Sequence, residues 1–358
     1  MRAFVRPQRR VPNRPDADAR RRGVALVVTL WAILLLTLLV GSFAFNMHIE
    51  ARIASYYRKR TRAQYLARAG IEYAMALLAH REEVGSDDFA DDFFEDQEPD
   101  PADSSRRGAY QLQRGLAVNG LRVALSNDVF VLDIIPEEGR RNINRLTDEE
   151  WEEILDQGGV PEEDWPRLID CFHDWVDEDE FTRLSGAESD DPFYKERGYP
   201  VKNAPLDLVD ELLMIKGFSP AIVFGGPAAE PDAPLHPGIA SLLTVFGDGR
   251  VNVNTATRQV LLTLPGLEPW MADEIIEGRL GLDQREGTKD DGFDSVGEVM
   301  ARVALPPTVR ERLTVREVQF LRVSAVGETQ GVRSGVWCVL RVAGGQVTPV
   351  FWREETLR

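Results

Sequence analysis

The sequence is poor in the residues that enzymes and disulfide-stabilised proteins depend on. Of 358 residues, two are cysteine and four are histidine. The histidines are scattered, and no HExxH, GxSxG, P-loop or GxGxxG motif is present. Cys171 and Cys338 fall in a predicted helix and a predicted strand of different domains, so the pattern requires no disulfide. We therefore predict a protein that is not an enzyme.

Proline is absent between Pro15 and Pro99, and charge is absent from the twenty-two residues 24–45. A helix of that length reaches about 33 Å, enough to cross a hydrocarbon layer of about 30 Å. Apolar residues then return at helical spacing: Ile49, Ile53, Tyr56, Leu66, Tyr73 and Leu77. We predict one long helix over residues 24–81, membrane-spanning at first and amphipathic later.

The charge is unevenly distributed. Residues 1–23 carry eight Arg and two Asp, a net charge of +6, so of the total of −17 the other 335 residues carry −23. A basic segment before the first span predicts a cytoplasmic N-terminus and an exported acidic part. The basic cluster from Arg52 to Arg68 works against this orientation. A secretory signal cleaved near Ser42-Phe43-Ala44 is the alternative, although the apolar run exceeds the usual ~7–15 residues.

An acidic segment follows the predicted helix. Residues 82–103 contain eleven Asp and Glu among twenty-two residues. Like-charged runs are more typical of solvated linkers than of metal sites. We predict a flexible linker over residues 82–108.

Short β-rich segments lie on both sides of residues 140–316, which predicts an α+β fold. The predicted strands are 110–116, 121–125, 129–135, 319–326, 335–343 and 347–352, with turns at Asn119-Gly120, Asn127-Asp128, 327–331 and Gly344-Gly345. Together they predict one antiparallel sheet interrupted by a large insertion. In an antiparallel sheet of this kind one face commonly packs on the core and the other faces water.

The insertion contains an internal repeat. Asn142-Ile143-Asn144-Arg145 reappears as Asn252-Val253-Asn254-Thr255. Two helices joined by a Gly-containing turn are predicted after each copy, and a further helix over 207–216. The pattern is similar to SAM-like or helix-hairpin-helix domains, some of which bind DNA. Because this region is acidic, whereas duplex binding requires a basic surface, we interpret the repeats as packing units.

One group of residues has the chemistry of a cation site. Carboxylates are dense between Asp174 and Asp191, on both sides of Gly186. Carboxylate oxygens that converge are the ligands that Ca²⁺ prefers. A solvated acidic helix end is the alternative, and composition alone favours it.

The N-terminal features resemble those of type IV pilins and pseudopilins. In that family a membrane peptidase cleaves after a glycine, here Gly23, and the new N-terminus, here Val24, is methylated. Most members have Glu at the fifth mature position, where this chain has Val28. This departure, the inserted helical repeats and the acidic stretch resemble the large minor pseudopilins of the type II secretion protein K family.

The resemblance implies specific site residues. Matched position by position, the implied calcium ligands are Asp177, Asp179, Glu188 and Asp190, with Asp174 and Asp191 as further candidates. Asn203 and Glu211 match hydrogen-bond partners that fix loops. The implied cofactor is Ca²⁺.

The resemblance also implies a role and partners. A subunit with Val28 offers no carboxylate to the buried amine of a subunit above it, which permits a position at the filament tip. The implied partners are other minor pseudopilins of the I and J types, the major pseudopilin and the prepilin peptidase, with the secretin and exported proteins as further candidates and no nucleic acid. A DNA-uptake protein and a type IV pilus minor pilin are the alternatives.

These predictions divide the chain into seven regions. They are a leader (1–23), the pilin helix with a single inner-membrane span (24–81), the acidic linker (82–108), the first part of the sheet (109–136), a first helical SAM-like domain (137–246), a second (247–316) and the second part of the sheet (317–354), the regions after the span lying in the periplasm.

Overall fold

The computed structural model describes residues 17–79, 111, 115–125, 128–227, 235–282, 284, 291–315 and 318–355. The chain forms two compact units, residues 1–61 and 62–358. The first sixteen residues of the predicted leader and the whole predicted acidic linker lie outside the described residues.

A single long helix, α1 (Ala17–Ala79), contains 63 residues. It begins inside the predicted leader and passes through Gly23, because no proline interrupts it. Its apolar side chains between Leu26 and Phe45 are exposed. By length and composition alone, one helix among the described residues is suited to crossing a membrane.

The main sheet has five antiparallel strands in the order β1-β2-β9-β10-β11. Their bounds are β1 Val118–Leu125, β2 Asp128–Pro136, β9 Phe320–Thr329, β10 Val332–Ala343 and β11 Gln346–Glu355. Strands β2 and β9 pair directly, although more than 180 residues separate Pro136 from its partner Leu321. The α+β class and the antiparallel sheet are therefore confirmed.

The C-terminal part of α1 packs on one face of this sheet. Ala67, Ile71, Ala74 and Leu78 are buried against Leu132, Val323, Ala325 and Cys338. Small side chains on the helix let the two backbones approach closely, and Gly327 of β9 lies at the tightest point. A Cβ atom at residue 327 would lie 2.1 Å from the carbonyl oxygen of Ala63.

Replacement of Gly327 by alanine should therefore destabilise the packing of the helix on the sheet. The obstructing atom belongs to the backbone and cannot rotate away, so we expect a loss of about 1–3 kcal/mol in the free energy of unfolding. Ser324→Ala, in the same strand but on its opposite face, is the matched control. Urea unfolding of both variants in detergent measures the difference, and equal stabilities would contradict the close approach.

Two details of the first predicted strands are wrong. Gln111 is helical and Gly115 lies in a turn with φ +68°, closed by a hydrogen bond from Leu116 to Gln111, so strand β1 begins only at Val118. Asn119-Gly120 is not a hairpin turn but lies where the register of β1 shifts against β2. The positive φ of Gly120 permits this bulge, and its N–H donates to Asp133 Oδ1 at 2.7 Å.

The sequence had suggested that the second face of the sheet is open to water. In the structure, part of this face is covered. Phe246 from the insertion stacks on Phe320 with ring centroids 5.2 Å apart. Glu137, fully buried, accepts a hydrogen bond from Arg322 at 2.6 Å. The insertion therefore returns to cover part of the face that α1 leaves free.

The insertion consists of short helices and two-residue strands around one large core. The helices are α2 Asp148–Gln157, α3 Trp165–Val176, α4 Pro192–Arg197, α5 Pro220–Phe224, α6 Arg258–Leu262, α7 Pro269–Gly278, α8 Val296–Arg302 and α9 Pro307–Glu311; the short strands are β3 Arg141–Asn142, β4 Gly226–Pro227, β5 Leu235–His236, β6 Leu243–Thr244, β7 Val251–Asn252 and β8 Leu313–Thr314. The helix predicted over 207–216 is instead a 3₁₀ helix, Val209–Met214. Leu208 before it and Ile215 after it are extended, which limits the helical segment to these six residues.

The two asparagine motifs begin units with matching geometry. Strand β3 pairs in parallel with β6, and strand β7 pairs in parallel with β8. In each unit the first Asn accepts a hydrogen bond from the backbone N–H two residues later, at 3.0 Å in Asn142 and 2.9 Å in Asn252. A threonine, Thr147 or Thr257, then caps the next helix. Assignment of these units to a SAM-like or helix-hairpin-helix fold stays a prediction, as do the domain boundaries.

A buried charge cluster joins the two units that begin with the asparagine motifs. Glu150 in the first turn of α2 is fully buried and contacts both Arg141 and Arg312 through Oε1. Arg141 is 2% exposed and also donates to the carbonyl oxygen of Thr263 at 2.7 Å. One carboxylate of the first unit therefore pairs with a guanidinium from each unit.

Candidate functional site

The acidic loop begins at the end of α3. This helix buries Leu168, Phe172 and Trp175, and its Asp174 is also fully buried. The Asp174 carboxylate accepts the N–H of Arg183 at 3.2 and 3.3 Å. Burial raises the pKa of Asp174. The loop therefore folds back onto a carboxylate that is excluded from solvent.

Gly186 is required by this arrangement. A Cβ atom at that position would lie 1.9 Å from Asp174 Oδ2, so no larger residue fits without movement. In the Gly-containing loop that the sequence analysis identified, the glycine therefore allows the backbone to lie close to the Asp174 carboxylate.

Glu188 lies at the centre of the acidic group. It is 1% exposed, and neither of its carboxylate oxygens has a hydrogen-bond partner among the described residues. Burial, followed by repulsion from Asp174, Asp177 and Glu180, raises the pKa of Glu188 to about 7. Burial of such a carboxylate is costly, and a cation bound to it would offset that cost.

Two more oxygens near this group lack donors in the described part of the chain. Asp177 Oδ1 is buried without a hydrogen bond, and burial followed by repulsion from Asp179 raises the pKa of Asp177. Asn203 Oδ1 is buried and equally unsatisfied. Asn203 adopts φ +50°, and its backbone N–H donates to Trp175 at 3.0 Å, which holds its side chain near the end of α3.

The remaining predicted ligands are exposed or already have partners, unlike Glu188 and Asp177. Asp179 is exposed and accepts the N–H of Phe181 at 2.8 Å, and Asp190 is exposed. Asp191 caps α4 and pairs with Lys216 at 2.7 Å. Ligation by these three residues stays a prediction; for Asp191 it would require existing contacts to break.

Glu211 occupies a structural position. Its Oε1 accepts the N–H groups of Asp207 and Leu208 at 2.8 and 2.9 Å, and its Oε2 pairs with Lys202 at 2.8 Å. These contacts fix the start of the 3₁₀ helix.

The group offers oxygen ligands for a hard cation. Glu188, Asp177 and Asn203 present four buried acceptor oxygens without donors, and Ca²⁺ prefers such carboxylate and amide oxygens. Among the described residues, no three His, Cys, Asp or Glu side chains already surround a common point. Glu180, whose charge adds to the repulsion at Glu188, was not singled out from the sequence. The loop-fixing role of Asn203 stays a prediction.

His173 and Cys171 lie on α3 near this group, whereas Cys338 lies in the core of the main sheet. His173 pairs with Asp148 at 2.7 Å. Cys171 and Cys338 are free, buried thiols in separate cores.

Comparisons with known proteins agree on one family. Residues 128–224 match the family model described as type II secretion system protein K. The type II secretion system protein K of Klebsiella pneumoniae is 28% identical over 166 residues, 45% of this chain and 46% of the relative, so the alignment spans less than half of either protein. A chain in the crystal structure of the GspK–GspI–GspJ complex from enterotoxigenic Escherichia coli matches with a TM-score of 0.53 and 14% identity, over 83% of this chain and 99% of that one. This last match concerns the fold.

Proposed function

We propose that this chain is a member of the type II secretion protein K family and a non-enzymatic minor pseudopilin at the tip of the secretion pseudopilus; the match of residues 128–224 to that family's model supports the proposal. There it starts assembly of the filament and supports protein export across the outer membrane. Helix α1 anchors it in the inner membrane and the second compact unit lies in the periplasm. The acidic charge of the insertion disfavours the alternative of a DNA-binding protein.

The observation that carries the tip position is the residue at the fifth place after Gly23. Val28 is apolar and 60% exposed on α1. A subunit stacked above it would bury a charged N-terminal amine against this valine, at a cost that no carboxylate offsets. A filament can therefore end at this subunit but cannot continue past it.

The proposed partners are other minor pseudopilins. The matching structure is a complex of three such proteins, in which the GspK chain is joined by GspI and GspJ. We expect this chain to form a complex with its own I-type and J-type counterparts, one copy of each. Native mass spectrometry of the detergent-solubilised complex measures the stoichiometry, and two or more copies of this chain per complex would contradict the proposal.

Processing at Gly23 gives a separate prediction. Prepilin peptidase should cleave after Gly23, and the mature chain should start at N-methylated Val24. Gly23→Val should block cleavage, because the resemblance to pilins places the glycine at the cut. Mass spectrometry of the membrane form measures both outcomes; a start near Phe45 would instead indicate an ordinary secretory signal.

We further propose that the acidic loop binds Ca²⁺ through Glu188, Asp177 and the amide oxygen of Asn203, with Asp174, Asp179 and Asp190 as additional ligands. The fit rests on the unsatisfied oxygens of the first three residues. The cation would neutralise carboxylates that otherwise repel one another, so that ion binding and ordering of the loop are coupled. Its role is structural.

A further inference from the structure

One row of apolar side chains crosses all five strands of the main sheet. Each member pairs with the next across neighbouring strands, in the order Val118, Ile134, Val323, Cys338 and Trp352. Paired residues share a face of the sheet, here the face that α1 covers. The first four side chains are buried, whereas Trp352 on the edge strand β11 is 40% exposed. The buried row therefore ends at the edge of the sheet in a half-covered indole.

The backbone at this edge is also without a neighbour. Strand β11 is the outermost strand, and its free edge pairs with no other strand among the described residues. An edge of this kind presents unpaired N–H and C=O groups, to which an extended segment of another chain can add as a further strand.

Only part of the two sheet edges is regular enough for such pairing. On the opposite edge, the register of β1 shifts beside Gly120, which interrupts the row of donors and acceptors. The first part of β11 is interrupted in the same way, because Pro349 has no N–H and the register against β10 shifts beside it. The regular part of the β11 edge is residues 351–355.

Charged side chains usually protect an edge strand from pairing, but here two of them have partners within the chain. Glu354 pairs with Arg68 of α1, and Arg353 pairs with Asp210 of the insertion at 2.8 Å. The paired charges offer little repulsion to an incoming strand. Because consecutive side chains point to opposite faces, the two ion pairs also hold this part of β11 from both sides. The edge is therefore already extended before any partner binds.

We propose that residues 351–355 of β11 bind an extended strand of another minor pseudopilin, which becomes the sixth strand of the sheet. The backbone of that strand pairs with the free edge, and an apolar side chain opposite Trp352 continues the buried row. This proposal rests on the proposed function, which brings subunits of this kind together.

Hydrogen–deuterium exchange of the full-length protein in detergent tests the proposal. Exchange at residues 351–355 is compared between the chain alone and the chain with the I-type and J-type subunits of the same secretion system, added singly and together. Pairing of the edge should slow the exchange of its outward-pointing amides at least about tenfold. The subunit whose addition produces this effect is the one that supplies the strand.

Three results would contradict the pairing, and they separate it from the proposed function. A complex that forms without slower exchange at residues 351–355 would overturn the edge pairing and leave the proposed function intact. Exchange that is already slow in the chain alone would show that this chain or a second copy fills the edge, and would also overturn the pairing. Failure of the proteins to associate would contradict both.

A pair of variants tests the part played by Trp352. Trp352→Lys places a charge where the apolar side chain of the partner packs, and we expect the dissociation constant for the subunit that supplies the strand to rise at least about tenfold. The matched control is Thr348→Lys, which is exposed on the same strand but precedes Pro349 and should change this constant less than about twofold. Equal effects would show that the edge at Trp352 is not the contact. Should Trp352→Lys fail to fold, the exchange experiment on the unaltered protein decides alone.

Discussion

Replacement of Glu150 by alanine is expected to lower the free energy of unfolding of the insertion by about 3–5 kcal/mol, the largest stability change we predict. The substitution leaves the buried guanidinium of Arg141 without a carboxylate and removes the partner of Arg312. It also removes the hydrogen bond by which Glu150 Oε2 accepts the N–H of Thr147 at 2.9 Å. A buried charge without its partner costs more than the original pair contributed.

Urea unfolding of the full-length protein in detergent, followed by tryptophan fluorescence, measures this loss. The matched control is Glu149→Ala, which removes an exposed carboxylate from the same first turn of α2. Its effect should remain below about 1 kcal/mol, because it changes only the interaction with the helix dipole. Equal effects of the two substitutions would show that the buried cluster does not hold the two units together.

Calcium should have the second largest effect. At about one hundred times the dissociation constant, binding adds about 2.7 kcal/mol to the stability of the region that contains the acidic loop. We expect a higher melting temperature with Ca²⁺ than with EDTA for the full-length protein. Identical melting temperatures would mean that the acidic group is a solvated face that binds no ion.

Glu188→Gln makes this prediction sharper, because its effect changes sign. Burial and like charges raise the pKa of Glu188 to about 7, so the folded state without ion is favoured below the unfolded pKa of about 4.3 and loses stability as the pH rises through about 7. At pH 8 with EDTA, the glutamine variant should therefore melt above the parent protein. With Ca²⁺ it should melt below it, because the amide supplies one neutral ligand oxygen in place of a carboxylate. A variant that melts below the parent in both conditions would contradict the proposed role of Glu188.

Local features of the fold could be read from the sequence. The absence of proline after Pro15 predicted the long helix, and the Thr147-to-Glu150 spacing of a capping box agrees with the start of α2. The repeated Asn-x-Asn motif predicted two related units. In each case the signal depends on residues close together in the chain.

Contacts between residues that are distant in the chain could not be predicted from the sequence. Nothing near Glu150 indicates that it will meet Arg312, 162 residues later. Asn119-Gly120 satisfies the sequence pattern of a turn, but the hydrogen bond to Asp133 makes it a bulge within β1. Likewise, nothing in the sequence near Phe246 indicates that it will stack on Phe320 of the sheet.

The position of this chain in assembled pseudopili tests the central claim most directly. Pseudopili can be purified, and the second compact unit of this chain labelled with gold-conjugated antibody for electron microscopy. The tip role predicts one label at one end of each filament, with a number of copies that does not depend on filament length. Labels spaced regularly along the shaft, in numbers that rise with filament length, would contradict it.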